Sequence, residues 1–147
     1  MKKTTLTLLT MALLAMINTQ AGELSWTGDL PKALATAKAE KKAVLVDFTG
    51  SDWCGWCIKL KAETFDQPAF AEYAKANLVL VELDFPRNKP QPDALKKANK
   101  DLQKKYKVNG FPTLLVLDAN GKELGRQVGY LKGGPTAFTK MVDGFRK

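Results

Sequence analysis

The chain has 147 residues, 45% of them apolar and 26% charged, which is the composition of one globular domain with a real core rather than of a disordered or fibrous chain. It contains no histidine and only two cysteines, too few ligands for a structural zinc centre within one chain. A formal charge of +8 favours acidic partners over basic ones but identifies none of them.

The first segment reads as a leader. Lys2 and Lys3 form a positive start, Leu6 to Ile17 is mainly apolar, and Thr19-Gln20-Ala21 ends in a small residue suited to cleavage. This predicts a secretory signal peptide over residues 1–21 and a mature domain over residues 22–147. The apolar stretch falls short of the about 20 residues an ordinary membrane span needs, and nothing later comes close, so no membrane span is expected in the mature form. Export implies a periplasmic or secreted protein, in a compartment where disulfides persist. Removing Lys2 and Lys3 leaves the mature chain near +6.

Glu23 to Asp29 reads as irregular or as a short strand carrying Trp26. Leu30 to Lys41 follows as a modest amphipathic helix, with Pro31 in its first turn and Asp29 as its cap. Ala43 to Phe48 is an apolar run interrupted only by Asp47, hence a buried strand, and Thr49-Gly50-Ser51-Asp52 is turn-prone. Ile58 to Phe65 has apolar residues at helical spacing, Pro68 to Ala76 continues it or forms a second helix, and Leu78 to Leu83 is a second buried strand. Asp84 to Pro92, with three prolines, is expected to be an exposed, stiff loop, read first as a connector and second as a partner contact. Ala94 to Tyr106 is a lysine-rich helix whose charge reads as a solvated face, not as a nucleic-acid surface. Leu114 to Leu117 and Glu123 to Val128 form a hairpin about Asp118-Ala119-Asn120-Gly121, and Gly133-Gly134-Pro135 opens a last helix reaching Phe145. Strands alternating with helices, then a hairpin, imply an α/β domain with a mixed sheet covered on both faces. Right-handed crossovers bring the strand ends that carry the cysteine motif to one edge of that sheet.

That motif is Trp53-Cys54-Gly55-Trp56-Cys57. Two thiols three positions apart at the first turn of a helix share a face and can close a small disulfide ring. Cys54 is placed at the helix N-terminus, where unpaired N–H groups and the helix dipole favour a thiolate, making Cys54 the candidate nucleophile. Covalent haem attachment is excluded because Ile58, not histidine, follows Cys57. An inert disulfide or a pair of buried thiols remains as the alternative, although so short a ring removes little chain entropy and stabilises poorly.

Val46-Asp47-Phe48, the Trp53 to Cys57 centre and Gly110-Phe111-Pro112-Thr113, in that order, resemble the thioredoxin superfamily, specifically its secreted thioredoxin-like proteins. The likeness covers about Lys42 to Phe145. It implies the thioredoxin fold, a three-layer α/β/α sandwich about a central mixed sheet, and an exchange of disulfides that calls for no cofactor and no metal. It also implies that Cys54 attacks a substrate disulfide and Cys57 resolves the mixed disulfide. By the same likeness Pro112 is a cis-proline beside the cysteines, Phe111 faces substrate, and Trp53 and Trp56 frame the centre, though Trp53 could equally be packing. Asp47 matches the family's buried carboxylate, the candidate to take the proton from Cys57, with a solvated aspartate as the alternative. Three departures stand out: Trp56 replaces thioredoxin's proline, the segment before Cys54 is one residue longer, and the lysine that partners the buried carboxylate in thioredoxin falls near Leu80.

The expected function is therefore that of an exported, monomeric thiol-disulfide oxidoreductase reducing or isomerising protein disulfides. Its expected partners are disulfide-containing proteins and a membrane thiol electron donor. The alternative is a peptide-binding or chaperone-like module whose disulfide does not cycle.

Overall fold

Asp29 begins the first helix as its composition requires: its Oδ1 accepts the Lys32 N–H at 2.9 Å, satisfying one of the donors that a helix start leaves free. In the computed structural model, which describes residues 24–147, that helix is α1, Leu30–Glu40, and Lys41 ends it in the left-handed conformation. The predicted leader lies outside the described residues. A two-residue strand β1, Trp26–Thr27, precedes α1, and β2, Ala43–Thr49, follows it. Then come α2, Gly55–Leu60, a π turn over Lys61–Phe65, α3, Pro68–Asn77, and β3, Leu78–Asp84. The chain closes with α4, Asp93–Lys105, the hairpin of β4, Thr113–Leu117, and β5, Glu123–Val128, and α5, Gly134–Phe145.

The five strands form one mixed sheet in the order β1-β3-β2-β4-β5. β2 runs parallel to β3 and antiparallel to β4, so it is the central strand, and all seven of its residues are buried. Strand alternation divides it between two cores. Val44, Val46 and Phe48 join α1, Tyr106 and Val108 on one face, while Ala43 and Leu45 join Leu60, Phe65, Phe70 and Phe138 on the other. These are the three layers expected of a thioredoxin fold. The edge that carries the motif is formed by strand ends and not by an outer strand: the cysteine turn leaves the carboxyl end of β2.

The helix expected through Phe65 departs from expectation in its second half. A π turn inserts a wider repeat at Lys61–Phe65 in which Thr64 and Phe65 are buried, while Ile58 of α2 is exposed. Phe65 then packs on Phe70 at 4.9 Å, and Phe70 meets Phe138 edge-on at 5.1 Å. This aromatic cluster anchors α3 and α5 beneath the motif helix. Replacing the fully buried Phe138 by alanine is expected to cost about 3–5 kcal/mol, read as a fall in the urea midpoint.

The lysines of α4 lie in solvent as the sequence implies, with Lys97 pairing Asp101 at 2.6 Å. Its one buried residue, Asn99, reaches across to donate to the Asp84 carbonyl at 2.9 Å and so fixes α4 to the end of β3. The β4–β5 turn uses Asp118, whose Oδ1 accepts from the N–H groups of Asn120 and Lys122, and Gly121, whose φ of +81° a side chain would strain.

Candidate active site

The cysteines sit where β2 ends and a tight turn must redirect the chain into α2. Gly50 makes this turn possible, because a Cβ there would lie 2.5 Å from Trp53 Cε2. Its carbonyl accepts the Cys54 N–H at 2.9 Å. Cys54 is the N-cap of α2, and its Sγ accepts the Cys57 N–H at 3.2 Å, occupying the place a serine or aspartate oxygen usually takes. The two residues are joined as a disulfide with their Cα atoms 5.2 Å apart, and they are 7% and 4% exposed. This pair fits a dithiol-disulfide redox centre at a helix start.

Aromatic side chains border it. Trp53 donates through Nε1 to the Phe85 carbonyl at 2.7 Å and meets Phe111 edge-on at 6.0 Å, while Phe85 stacks on Phe111 at 4.9 Å. Trp53 is therefore half-buried and packed, and the Arg87 guanidinium lies 3.6 Å from its ring centre. Phe111, also half-buried, precedes the buried Pro112 through a cis peptide bond, as the resemblance implies. Trp56 is 59% exposed and stacks on Tyr130 at 5.3 Å, with the Lys59 ammonium over both rings.

Asp47 continues the Ala43 and Leu45 row of β2 towards the cysteine turn. It is 5% exposed, and its Oδ1 has no hydrogen-bond partner. Burial first, and then the charges of Glu82 and Asp84, hold its carboxyl well above the usual carboxylate range. Asp47 and Cys57 line the same cavity of about 820 Å³, together with Glu82, Asp84 and Lys61. Asp47 is thus buried, as the resemblance implies, and the alternative of a solvated aspartate does not hold. On β3 Leu80 pairs with Leu45, and the residue beside Asp47 is Glu82, two positions further on. Register between parallel strands is set by how the crossover helices pack, so it could not be counted along the chain.

The loop after β3 is not a free connector. Both oxygens of Asp52 accept its backbone N–H groups, from Arg87 at 3.0 Å, Asn88 at 2.7 Å and Lys89 at 2.9 Å. Those bonds, that of Arg87 foremost, hold the Asp52 carboxyl below the usual range. The loop is thereby strapped to the turn that carries the cysteines. Asp52→Ala is expected to speed tryptic cleavage at the Arg87–Asn88 bond at neutral pH, with the thermal midpoint of the domain nearly unchanged.

The structure thus gathers Trp53, Phe111 and Pro112 on one side of the centre, and Asp47 with Cys57 on one cavity wall, while Trp56 stands apart on Tyr130. Arg87, Tyr130 and Glu82 were missed by sequence reasoning. Of these only Glu82 had a signal, because it interrupts an otherwise apolar strand near its end in the way Asp47 does.

The model of the thioredoxin-like domain matches residues 30–145. The chain is 39% identical over 122 residues to the disulfide bond reductase DsbH of Chlamydia pneumoniae, covering 83% of this chain and 72% of that protein. It is 34% identical over 124 residues to the thiol:disulfide interchange protein DsbD of Vibrio vulnificus, covering 80% of this chain but only 19% of that longer protein. A solved DsbH oxidoreductase superposes with a TM-score of 0.77 at 38% identity, over 84% of each chain. The chain belongs to the thioredoxin-like family and is homologous to its thiol-disulfide oxidoreductases.

Proposed function

We propose that residues 22–147, freed of a leader over residues 1–21, work outside the cytoplasm, in the periplasm or beyond, as a monomeric reductase or isomerase of protein disulfides. Cys54 attacks a substrate disulfide, and one substrate sulfur leaves as a thiolate. Cys57 gives its proton to Asp47 and attacks Cys54 Sγ, which releases the second substrate thiolate and closes the Cys54–Cys57 disulfide. The substrate gains two electrons and the pair loses them. Trp53, Trp56, Phe111 and Pro112 receive the polypeptide around the reacting sulfurs, in the manner of a strand added beside the proline. A thiol donor, taken to be a membrane-bound relay, returns the electrons.

The observation that carries this reading is the Cys54–Cys57 pair at the N-terminus of α2, sharing a cavity with a buried carboxylate whose Oδ1 has no hydrogen-bond partner. Similarity to a disulfide bond reductase supports the reducing direction over the oxidising one. The test is the reduction potential of the pair, from equilibration in glutathione buffers followed by tryptophan fluorescence. A value near the about −270 mV of thioredoxin is expected, whereas one near about −120 mV would make the protein an oxidant. A pair that does not equilibrate at all would leave the peptide-binding module as the better description.

A further inference from the structure

One face of the sheet changes character just below the cysteines. Along β2 the row Ala43, Leu45 continues as Asp47 and Thr49, and along β3 the row Leu78, Leu80 continues as Glu82 and Asp84. The strand register sets Asp47 beside Glu82 and Thr49 beside Asp84. Two carboxylates therefore occupy one rung on one face, with neighbouring strands about 4.8 Å apart, and both line the cavity that Cys57 also lines. On the other side Asp47 pairs with Leu114, which offers no charge.

Three of the other charged groups around the cavity, Asp84, Lys89 and Lys61, have partners. Asp84 accepts from the Ser51 N–H at 2.9 Å and the Ser51 hydroxyl at 2.6 Å, the Lys89 ammonium donates to the same Ser51 oxygen at 3.0 Å, and Lys61 pairs with Asp66. Glu72 and Lys75 of α3 complete the charged lining. Among the described residues no cluster of three or more histidine, cysteine, aspartate or glutamate side chains is arranged to hold a metal ion. A second like charge on the same rung as a buried carboxylate disfavours ionisation of both at neutral pH.

We propose that Asp47 and Glu82 hold one proton between them, and that Glu82 is thereby a positioning residue that sets the pH at which Asp47 can accept the proton of Cys57. Asp47 is the buried member, with an Oδ1 that nothing else uses. Glu82 is half-buried and is the member nearer water. Its own carboxyl is raised by burial and then by Asp84, with Lys61 and Lys89 opposing. In the resolving step the S–H bond of Cys57 breaks, its proton passes to the Asp47 carboxylate, and the electron pair left on sulfur forms the bond to Cys54 Sγ. While Glu82 is ionised, its charge disfavours ionised Asp47 and keeps the shared proton there. Removing that charge lets Asp47 ionise at lower pH.

This inference rests on the proposed resolving role of Cys57, and two measurements keep the two failures apart. The first is the carboxyl carbon NMR titration of Asp47 in the oxidised protein, which needs no activity. In the unsubstituted protein the Asp47 signal is expected to titrate in two coupled steps. In Glu82→Gln it should titrate in one, with its midpoint lower by about one pH unit or more. Glu82→Lys should lower it at least as far, and Glu82→Asp should restore the two steps. The second is the reaction of the reduced protein with 5,5′-dithiobis(2-nitrobenzoate), in which the first thionitrobenzoate released reports attack by Cys54 and the second reports resolution by Cys57. Glu82→Gln should move the pH midpoint of the second release down by the same amount and leave the first unchanged. An Asp47 midpoint that does not move in Glu82→Gln and Glu82→Lys overturns the shared proton. A wild-type protein lacking the second release would overturn the resolving role while leaving the titration result standing.

Discussion

Cys54→Ser is expected to reduce catalysed disulfide reduction by at least ~10³-fold, because a serine hydroxyl at a helix N-terminus stays protonated where a thiol ionises. Cys57→Ser should behave differently. Attack by Cys54 survives, but no second thiol resolves the product, so a mixed disulfide with the substrate accumulates and is visible as a shifted band on a non-reducing gel. The expectation follows from placement: Cys54 caps α2 and Cys57 lies within it, closer to the Asp47 cavity. If the Cys54→Ser protein kept its rate while Cys57→Ser lost it, the two roles would have to be exchanged. If both proteins bound an unfolded polypeptide as the parent does and the parent did not reduce it, the domain would be a binder.

Asp47→Asn is expected to have two opposed effects, slowing resolution and stabilising the fold at neutral pH. As the proposed base for Cys57, Asp47 contributes about 10²–10⁴-fold to the resolving step, and asparagine accepts no proton. The stability effect follows from burial. The folded carboxyl is raised well above its unfolded value, so the native state binds the proton more tightly than the unfolded chain does. Its contribution to stability is therefore fully present below the unfolded pKa of about 3.9. It is lost as the pH rises from there through the folded pKa, at about 1.4 kcal/mol for each pH unit crossed. Asparagine removes that dependence. Urea midpoints of the two proteins should agree best near pH 4 and diverge towards neutrality, with the variant the more stable. Parallel curves over that range would mean that Asp47 does not titrate as a buried, unpaired group.

Much of the architecture could be read locally. Asp29 and Pro31 announce α1, the apolar run about Asp47 announces the central strand, and Asp118 to Gly121 announces the hairpin, because capping, side-chain alternation and turn geometry each depend on residues a few positions apart. The π turn at Lys61–Phe65 escaped because apolar spacing at Ile58, Leu60, Ala62 and Phe65 also suits an ordinary helix. Phe65 is the telling residue: one wider turn rotates it onto Phe70 and Trp26.

By itself, the sequence determined the element order, the paired cysteines at a helix start and, through three separated motifs, the family. Only the tertiary structure decided which groups surround those cysteines. Glu82 beside Asp47, Asp52 holding the loop over Arg87 to Lys89, and Tyr130 beneath Trp56 each join residues more than thirty positions apart. Such pairings depend on strand register and on how helices seat against the sheet. Those are settled by packing the two apolar faces of the whole chain at once, and no local spacing encodes them.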